Sequence, residues 1–318
     1  MRIRKIGAAL SAGTLLFALA ACGGDDDDTG TTPGTSEDEP TSGGEDSEEP
    51  TDPPAEEEEF EAGSTMAELS EAGAINVGIK YDQPLFGLEA LDGSFEGFDV
   101  EIAKMLAEKL GIEEDGITFI ESVSANREPF LQQGQVDMVV ATYTINETRD
   151  EVIDFAGPYY VAGQDILVPI GNPNGIAGPD DLSGLRVCSV EGSTPAENIA
   201  TNYPEAQLTL LAEYSLCLES MLNGQVDALT TDNVILSGYA FENPDDVELI
   251  GNPFTEEPYG IGVPDSDDKV FCEWINDSLN EMYEDGSWAD AFAATVGLGG
   301  VETPEPPATG SCETPGAE

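Results

Sequence analysis

Gly97-Phe98-Asp99-Val100-Glu101-Ile102-Ala103-Lys104-Met105-Leu106-Ala107-Glu108-Lys109-Leu110 reads as one amphipathic helix, stopped by Gly111. Phe98, Ile102, Met105, Leu106 and Leu110 recur at three- and four-residue spacing and give one apolar face. Lys104 and Lys109 fall on the opposite side, where neighbouring Glu residues can pair with them. Strand-like runs flank this helix, Ile75 to Ile79 before it and Ile117 to Val123 after it. A helix near Asn126 to Gln133 and a strand Val136 to Thr142 follow. Strands alternating with helices predict an α/β fold.

The alternation then repeats: Arg186 to Val190, helix Pro195 to Asn202, Leu208 to Ala212, helix Leu216 to Leu222, Val226 to Thr230, helix Val234 to Phe241. Gln133-Gly134-Gln135-Val136-Asp137 is echoed 90 residues later by Asn223-Gly224-Gln225-Val226-Asp227. In both copies a helix ends at Gly, a strand begins, and a polar residue stands five positions past the Asp, Thr142 in one and Asp232 in the other. Open α/β sheets bind ligands outside such strand ends, although the same pattern also serves as an ordinary helix-to-strand turn. The chain leaves the first unit through Tyr159 to Pro169 and returns through Phe254 to Val263. Helices Val270 to Tyr283 and Trp288 to Val296 have no strands of their own and are expected to cover the first unit. Two facing lobes are predicted, 64–164 plus 256–318 and 165–255, joined by a two-crossover hinge.

Beyond the lobes the composition changes. Arg2, Arg4 and Lys5 precede an uncharged stretch from Ile6 to Ala21, short of the ~20 apolar residues that span a bilayer, so residues 1–21 read as an export signal. Leu19-Ala20-Ala21-Cys22 resembles the lipobox of bacterial lipoproteins, whose cysteine is lipidated and becomes the new N-terminus. That resemblance implies a cell-envelope protein, lipid-anchored to the outer face of the cytoplasmic membrane. Residues 22–63 then read as the lipidated Cys and a disordered acidic linker, because Asp25 to Glu61 holds 17 acidic residues, no Lys or Arg and almost nothing apolar. Glu302 to Glu318 is similar in composition but carries Cys312.

The 318 residues hold 10 Lys+Arg against 65 Asp+Glu, a formal net charge of −55, and no His. Such a charge repels phosphate backbones, so no nucleic-acid partner is expected. Without His there is no Ser-His-Asp triad and no His-ligated zinc, and no catalytic residue, metal or cofactor is expected. With Cys22 lipidated, four of the five cysteines remain, and four allow three pairings. Cys188 and Cys217 lie in the second unit, Cys272 and Cys312 in the part assigned to the first. Pairing within each leaves the hinge free, each bridge adding ~2–4 kcal/mol.

The opening helix, Gly97 to Leu110, together with the order of elements across Ala74 to Gly297, resembles the signature of family 3 solute-binding proteins, the extracytoplasmic amino-acid receptors of ABC importers. With the lipobox, spacer and cysteine pattern, the chain resembles the glutamate-binding lipoproteins of actinobacteria. The resemblance implies a two-lobed periplasmic-binding-protein-like fold that closes on L-glutamate or a similar acidic amino acid and delivers it to ABC transporter permease subunits. Receptors for aspartate or glutamine, a sensory binding protein, and a dehydratase-like enzyme on the same fold are the alternatives.

The site residues follow from where the scarce positive charges fall. Arg149 ends Thr142-Tyr143-Thr144-Ile145-Asn146-Glu147-Thr148-Arg149, which resembles the family motif whose Arg clamps the substrate α-carboxylate while the second hydroxyl residue, here Thr144, supports it. Arg149 could otherwise pair with Asp150 or Glu151 at the surface. Gly192-Ser193-Thr194 opens a helix on the facing lobe, with Thr194, Pro195 and Glu197 fitting N-cap, N1 and N3, and its free amides can receive an anion. Asp232 corresponds to the family's acid for the α-ammonium and would also cap the helix from Val234. Lys80 stands where relatives for basic amino acids carry an acid. Arg127 begins a helix, where the macrodipole disfavours a cation; in receptors for acidic amino acids the basic residue of such an Asn-Arg pair faces the side-chain carboxylate. Phe86 and Tyr143 are candidates for the ligand's aliphatic stem, with core packing the default.

Overall fold

The computed structural model describes residues 60–266 and 268–312. The export signal, Cys22 and all but the last residues of the linker lie outside them. No helix among the described residues is long and apolar enough to cross a membrane.

The first lobe starts with α1 (Thr65–Ala72), capped by the Ser64 hydroxyl and closed by left-handed Gly73. β1 (Ile75–Ile79) leads into a small antiparallel sheet of β2 (Asp82–Gln83), β3 (Gly87–Glu89) and β4 (Phe95–Glu96). Then come α2 (Phe98–Lys109), β5 (Ile117–Glu121), α3 (Arg127–Gln132), β6 (Met138–Thr144), the short α4 (Glu147–Asp150) and β7 (Ile153–Ala162). The second lobe runs β8 (Gln164–Pro169), β9 (Arg186–Val190), α5 (Thr194–Asn202), β10 (Gln207–Leu211), α6 (Tyr214–Leu222), β11 (Ala228–Asp232), α7 (Asn233–Glu242) and β12 (Val247–Leu249). β13 (Glu257–Pro264), α8 (Val270–Asp285) and α9 (Ser287–Ala294) complete the fold.

The two five-stranded sheets have matching architecture, β5-β1-β6-β13-β7 and β10-β9-β11-β8-β12. In each, three parallel strands are completed by two antiparallel strands. The segments Tyr159 to Pro169 and Phe254 to Val263, read from sequence as connections, prove to be largely strand. β7 and β13 pair in one sheet, and β8 continues directly into the other.

The internal echo has a structural job. The Asp137 carboxylate accepts the Asn76 N–H at 2.7 Å while its own N–H returns to Asn76 O. Asp227 does the same with Arg186, accepting its N–H at 2.9 Å. Each Asp therefore laces the start of its strand to the strand beside it. Because Gly134 and Gly224 take left-handed turns and the next residue's amide still reaches back to the helix, β6 and β11 begin two residues later than their patterns suggest. Thr144 and Asp232 thus end strands, and Thr142 lies inside one.

α2 buries Phe98, Ile102 and Leu106 as expected, and Phe98 meets Trp288 and Phe292 of α9 with ring centroids 5.7 and 5.3 Å apart. Lys104 pairs with Glu101, but Lys109 reaches Glu281 of α8 rather than a Glu of its own helix. α8 and α9 cover the first lobe, the Trp288 indole N–H donating to Tyr159 O. Cys188–Cys217 and Cys272–Cys312 are both bonded, one within each lobe. Phe60, placed in the linker, packs edge-on against Trp274; the acidic tail through Cys312, assigned to the first lobe, is held there by its disulfide and by Gly310 N–H on Gly157 O.

Candidate functional site

Between the sheets lies a small cavity with about 10 Å³ of free volume, roughly the room of one water molecule. Ser124, Arg127, Thr142 and Thr144 line it from the first lobe; Ser193, Thr194, Tyr214 and Asp232 from the second, with Pro195 and Ile235 as its apolar wall. The lobes are closed upon it. Gly192 meets Ala125 so tightly that a Cβ there would fall 2.8 Å from the Ala125 Cα, and a Cβ on Gly238 would fall 2.4 Å from Pro84 O. Tyr239 donates its hydroxyl to Asp82 O at 2.7 Å, and Ser215 its N–H to the Asp82 carboxylate.

Six of the eight residues expected from sequence line this cavity: Arg127, Thr142, Thr144, Ser193, Thr194 and Asp232. The other two stand one contact away. Lys80, buried just past β1, donates from Nζ to Ser124 Oγ at 3.0 Å. Arg149, on α4 with Asn146 as the cap, donates to Thr144 O at 2.6 Å and across the cleft to Gly192 O at 3.0 Å. Its ion-pair partner is Glu128 at 3.1 Å, not Asp150 or Glu151.

Two local expectations fail. The cap of α5 is Ser193 rather than Thr194: its backbone is extended and its hydroxyl accepts the Ala196 N–H, which moves Thr194 to the first turn and Glu197 beyond the capping-box position. Asp232 begins α7 without a side-chain capping bond. Its carboxyl instead accepts the Tyr259 hydroxyl at 2.6 Å on Oδ2, while Oδ1 is buried without a partner. Of the aromatic candidates, Phe86 packs in the core against Phe98, Tyr160 and Tyr259. Tyr143 lies under two guanidinium groups, with the Arg127 Cζ 4.1 Å and the Arg149 Cζ 5.0 Å from its ring centroid. Ser124, Tyr214 and Glu257 were not anticipated. Ser124 stands two residues before the Asn-Arg pair, but Tyr214 looks like a core residue and Glu257 is one acid among 65.

The electrostatics are lopsided. Among the described residues, no carboxylate lies within ion-pair distance of Lys80 or Arg127. Burial, and then the positive charge of Arg127, lower the Lys80 pKa to about 7. Burial and Arg149 lower Arg127 to about 10. Arg127 spends its donors on Ser124 O, Ala141 O and Thr142 O. Thr142, at φ +43°, is held from the other side by Asp99, which accepts its N–H at 2.8 Å. Burial raises Asp99 to about 7 despite the Tyr159 hydroxyl on its other oxygen. Burial and then Glu257 raise Asp232 to about 8. No group of three or more metal-ligating side chains occurs among the described residues.

A lysine that titrates lower folded than unfolded destabilises the fold fully below its folded pKa and ceases to do so above its unfolded one. The Lys80 deficit is thus complete below about pH 7 and fades toward 10.5. Lys80→Met should raise the thermal midpoint of the ligand-free protein at about pH 6, with a smaller gain at about pH 10. At ~1.4 kcal/mol per pKa unit the acid-side gain can reach a few kcal/mol. Thermal unfolding at the two pH values checks it; no gain at pH 6 would show that the ammonium is not strained by burial.

The comparisons with known proteins agree with this architecture. Residues 75–294 match the profile of the bacterial extracellular solute-binding proteins, family 3. The chain belongs to this family. This solute-binding protein is 41% identical over 245 residues to the glutamate-binding protein GluB of Corynebacterium glutamicum, covering 74% of this chain and 82% of that one. It is 40% identical over 230 residues to the ABC transporter glutamine-binding protein GlnH of Bacillus subtilis, covering 72% and 83%. Among solved structures, an ancestral amino acid-binding protein, a precursor of cyclohexadienyl dehydratase, matches with a TM-score of 0.67 at 28% identity, covering 73% of this chain and all of that one. Family membership makes this solute-binding protein extracytoplasmic.

Proposed function

We propose that this protein is the substrate-binding lipoprotein of an ABC importer, that it binds L-glutamate between its lobes without chemical turnover, and that it hands it to the permease. The observation carrying this reading is the pair of buried cations, Lys80 and Arg127, left without carboxylate partners on one side of the cavity. Two buried basic groups without carboxylate partners call for an anionic ligand, which would also hold Lys80 in its charged form. On the far side Asp232, with one oxygen unpaired, suits an ammonium. Arg149 and the amides at the start of α5 suit an α-carboxylate, which would take the place of Gly192 O at the guanidinium. The ligands for which these relatives are named, glutamate and glutamine, differ in one charge, and the unpaired cations favour glutamate. The lipobox-like Leu19 to Cys22 supports the anchor, and residues 64–164 plus 256–318 and 165–255 serve as the two closing lobes.

Calorimetry with each of the twenty amino acids tests this. L-Glutamate should bind most tightly, aspartate and glutamine more weakly, and lysine and arginine not at all. Tightest binding of a basic or apolar amino acid, or conversion of any of them, would overturn the proposal.

A further inference from the structure

We infer that Glu257 is a second acidic residue of the α-ammonium subsite, acting through Thr194 and on Asp232, and that it makes amino-acid capture release a proton. This rests on the reading of the cleft as an amino-acid site.

Glu257 opens β13 at the return crossover and is 4% exposed. Both its oxygens accept hydroxyl bonds, Oε1 from Thr255 at 2.8 Å and Oε2 from Thr194 at 2.7 Å. Thr194 has a single hydroxyl proton and gives it to the carboxylate, so in its 3.2 Å contact with Thr144 it is the acceptor. Thr194 therefore keeps one free lone pair, and no proton, to offer a ligand. A lone pair attracts an ammonium and repels a carboxylate. Thr255 in turn accepts the Gln164 N–H at 2.9 Å, which ties Glu257 to the outgoing crossover.

Glu257 and Tyr259 alternate onto one face of β13, where the Tyr259 hydroxyl reaches Asp232. Among the described residues neither Asp232 nor Glu257 has a Lys or Arg within ion-pair distance. Two carboxyl groups thus share a buried wall without a cation. Asp232 is also faced by Tyr214 from α6, and, more weakly, by Arg127 of α3 and Arg149 of α4, which oppose the effect of Glu257. With Asp232 titrating at about 8, its carboxyl is mostly protonated at neutral pH. An ammonium arriving between the two acids favours the ionised form and drives that proton into solvent.

The test is calorimetry of L-glutamine binding in buffers of different ionisation heat, from which the number of protons released is obtained. Glutamine is used because its uncharged side chain does not draw a proton onto Lys80. Wild type should release close to one proton at pH 7, about 0.9 for a group titrating at about 8, and progressively fewer toward pH 10. Glu257→Gln leaves the burial of Asp232 but removes the neighbouring charge that raises it further, and should lower the release at pH 7; Glu257→Asp should restore part of it. A purely structural role for Glu257 would change affinity and leave the proton number alone. An unchanged proton number in Glu257→Gln, or a wild-type release that stays flat from pH 6 to 10, overturns the inference. Wild type that binds no amino acid at all would instead overturn the reading of the site.

Discussion

Arg149→Ala should remove measurable binding of every amino acid, a loss of at least ~100-fold for glutamate and glutamine alike. The guanidinium lies between the lobes, with one arm on Thr144 O and the other on Gly192 O, and offers the planar fork that a carboxylate fits. All amino acids share that carboxylate, so the loss is indifferent to side chain. Truncating one member of a buried charged pair costs ~2–5 kcal/mol, which brackets 100-fold at ~1.4 kcal/mol per decade. The substitution also strands Glu128, the partner of Arg149 at 3.1 Å, so thermal unfolding must accompany the titration. A folded Arg149→Ala protein that still discriminates among amino acids at near wild-type affinity would move the α-carboxylate subsite elsewhere.

Arg127→Ala and Lys80→Ala should separate glutamate from glutamine. Each removes a cation that has no carboxylate partner among the described residues. The loss should be ~100-fold or more for glutamate, whose second carboxylate requires that charge, and within ~10-fold for glutamine. Lys80→Ala is the cleaner of the two, since its ammonium makes one bond, to Ser124 Oγ. Arg127 also supports Ala141 O and Thr142 O, so part of its effect will be shared by both ligands. Equal losses for the two ligands, measured side by side, would overturn the side-chain assignment.

Much of this fold was legible because hydrophobic periodicity is local. Ile75–Ile79 and Arg186–Val190 fall where their patterns put them, and the placement of cysteines in the two units was enough to choose the observed pairing among three. The crossovers were misread as connections because a near-continuous apolar run such as Tyr159 to Pro169 lacks the alternation that marks a half-exposed strand; β7 and β8 are buried on both sides. At Gly192-Ser193-Thr194-Pro195 two adjacent hydroxyl residues compete for the cap, and only backbone geometry selects Ser193. The cations of the site stood out because so few exist. Glu257 did not, because in a chain with 65 acids a functional carboxylate has no compositional contrast; its burial and its two hydroxyl partners distinguish it.

The attachment of both flanks to α8 has a mechanical consequence. Phe60 enters against Trp274, and Cys312 is bonded to Cys272, two residues away on the same helix. Tension applied through either flank would meet the first lobe before the second, on α8 and, for the tail, also at Gly157 of β7. Fixing the protein to a solid support by either end should therefore leave its ligand isotherm unchanged.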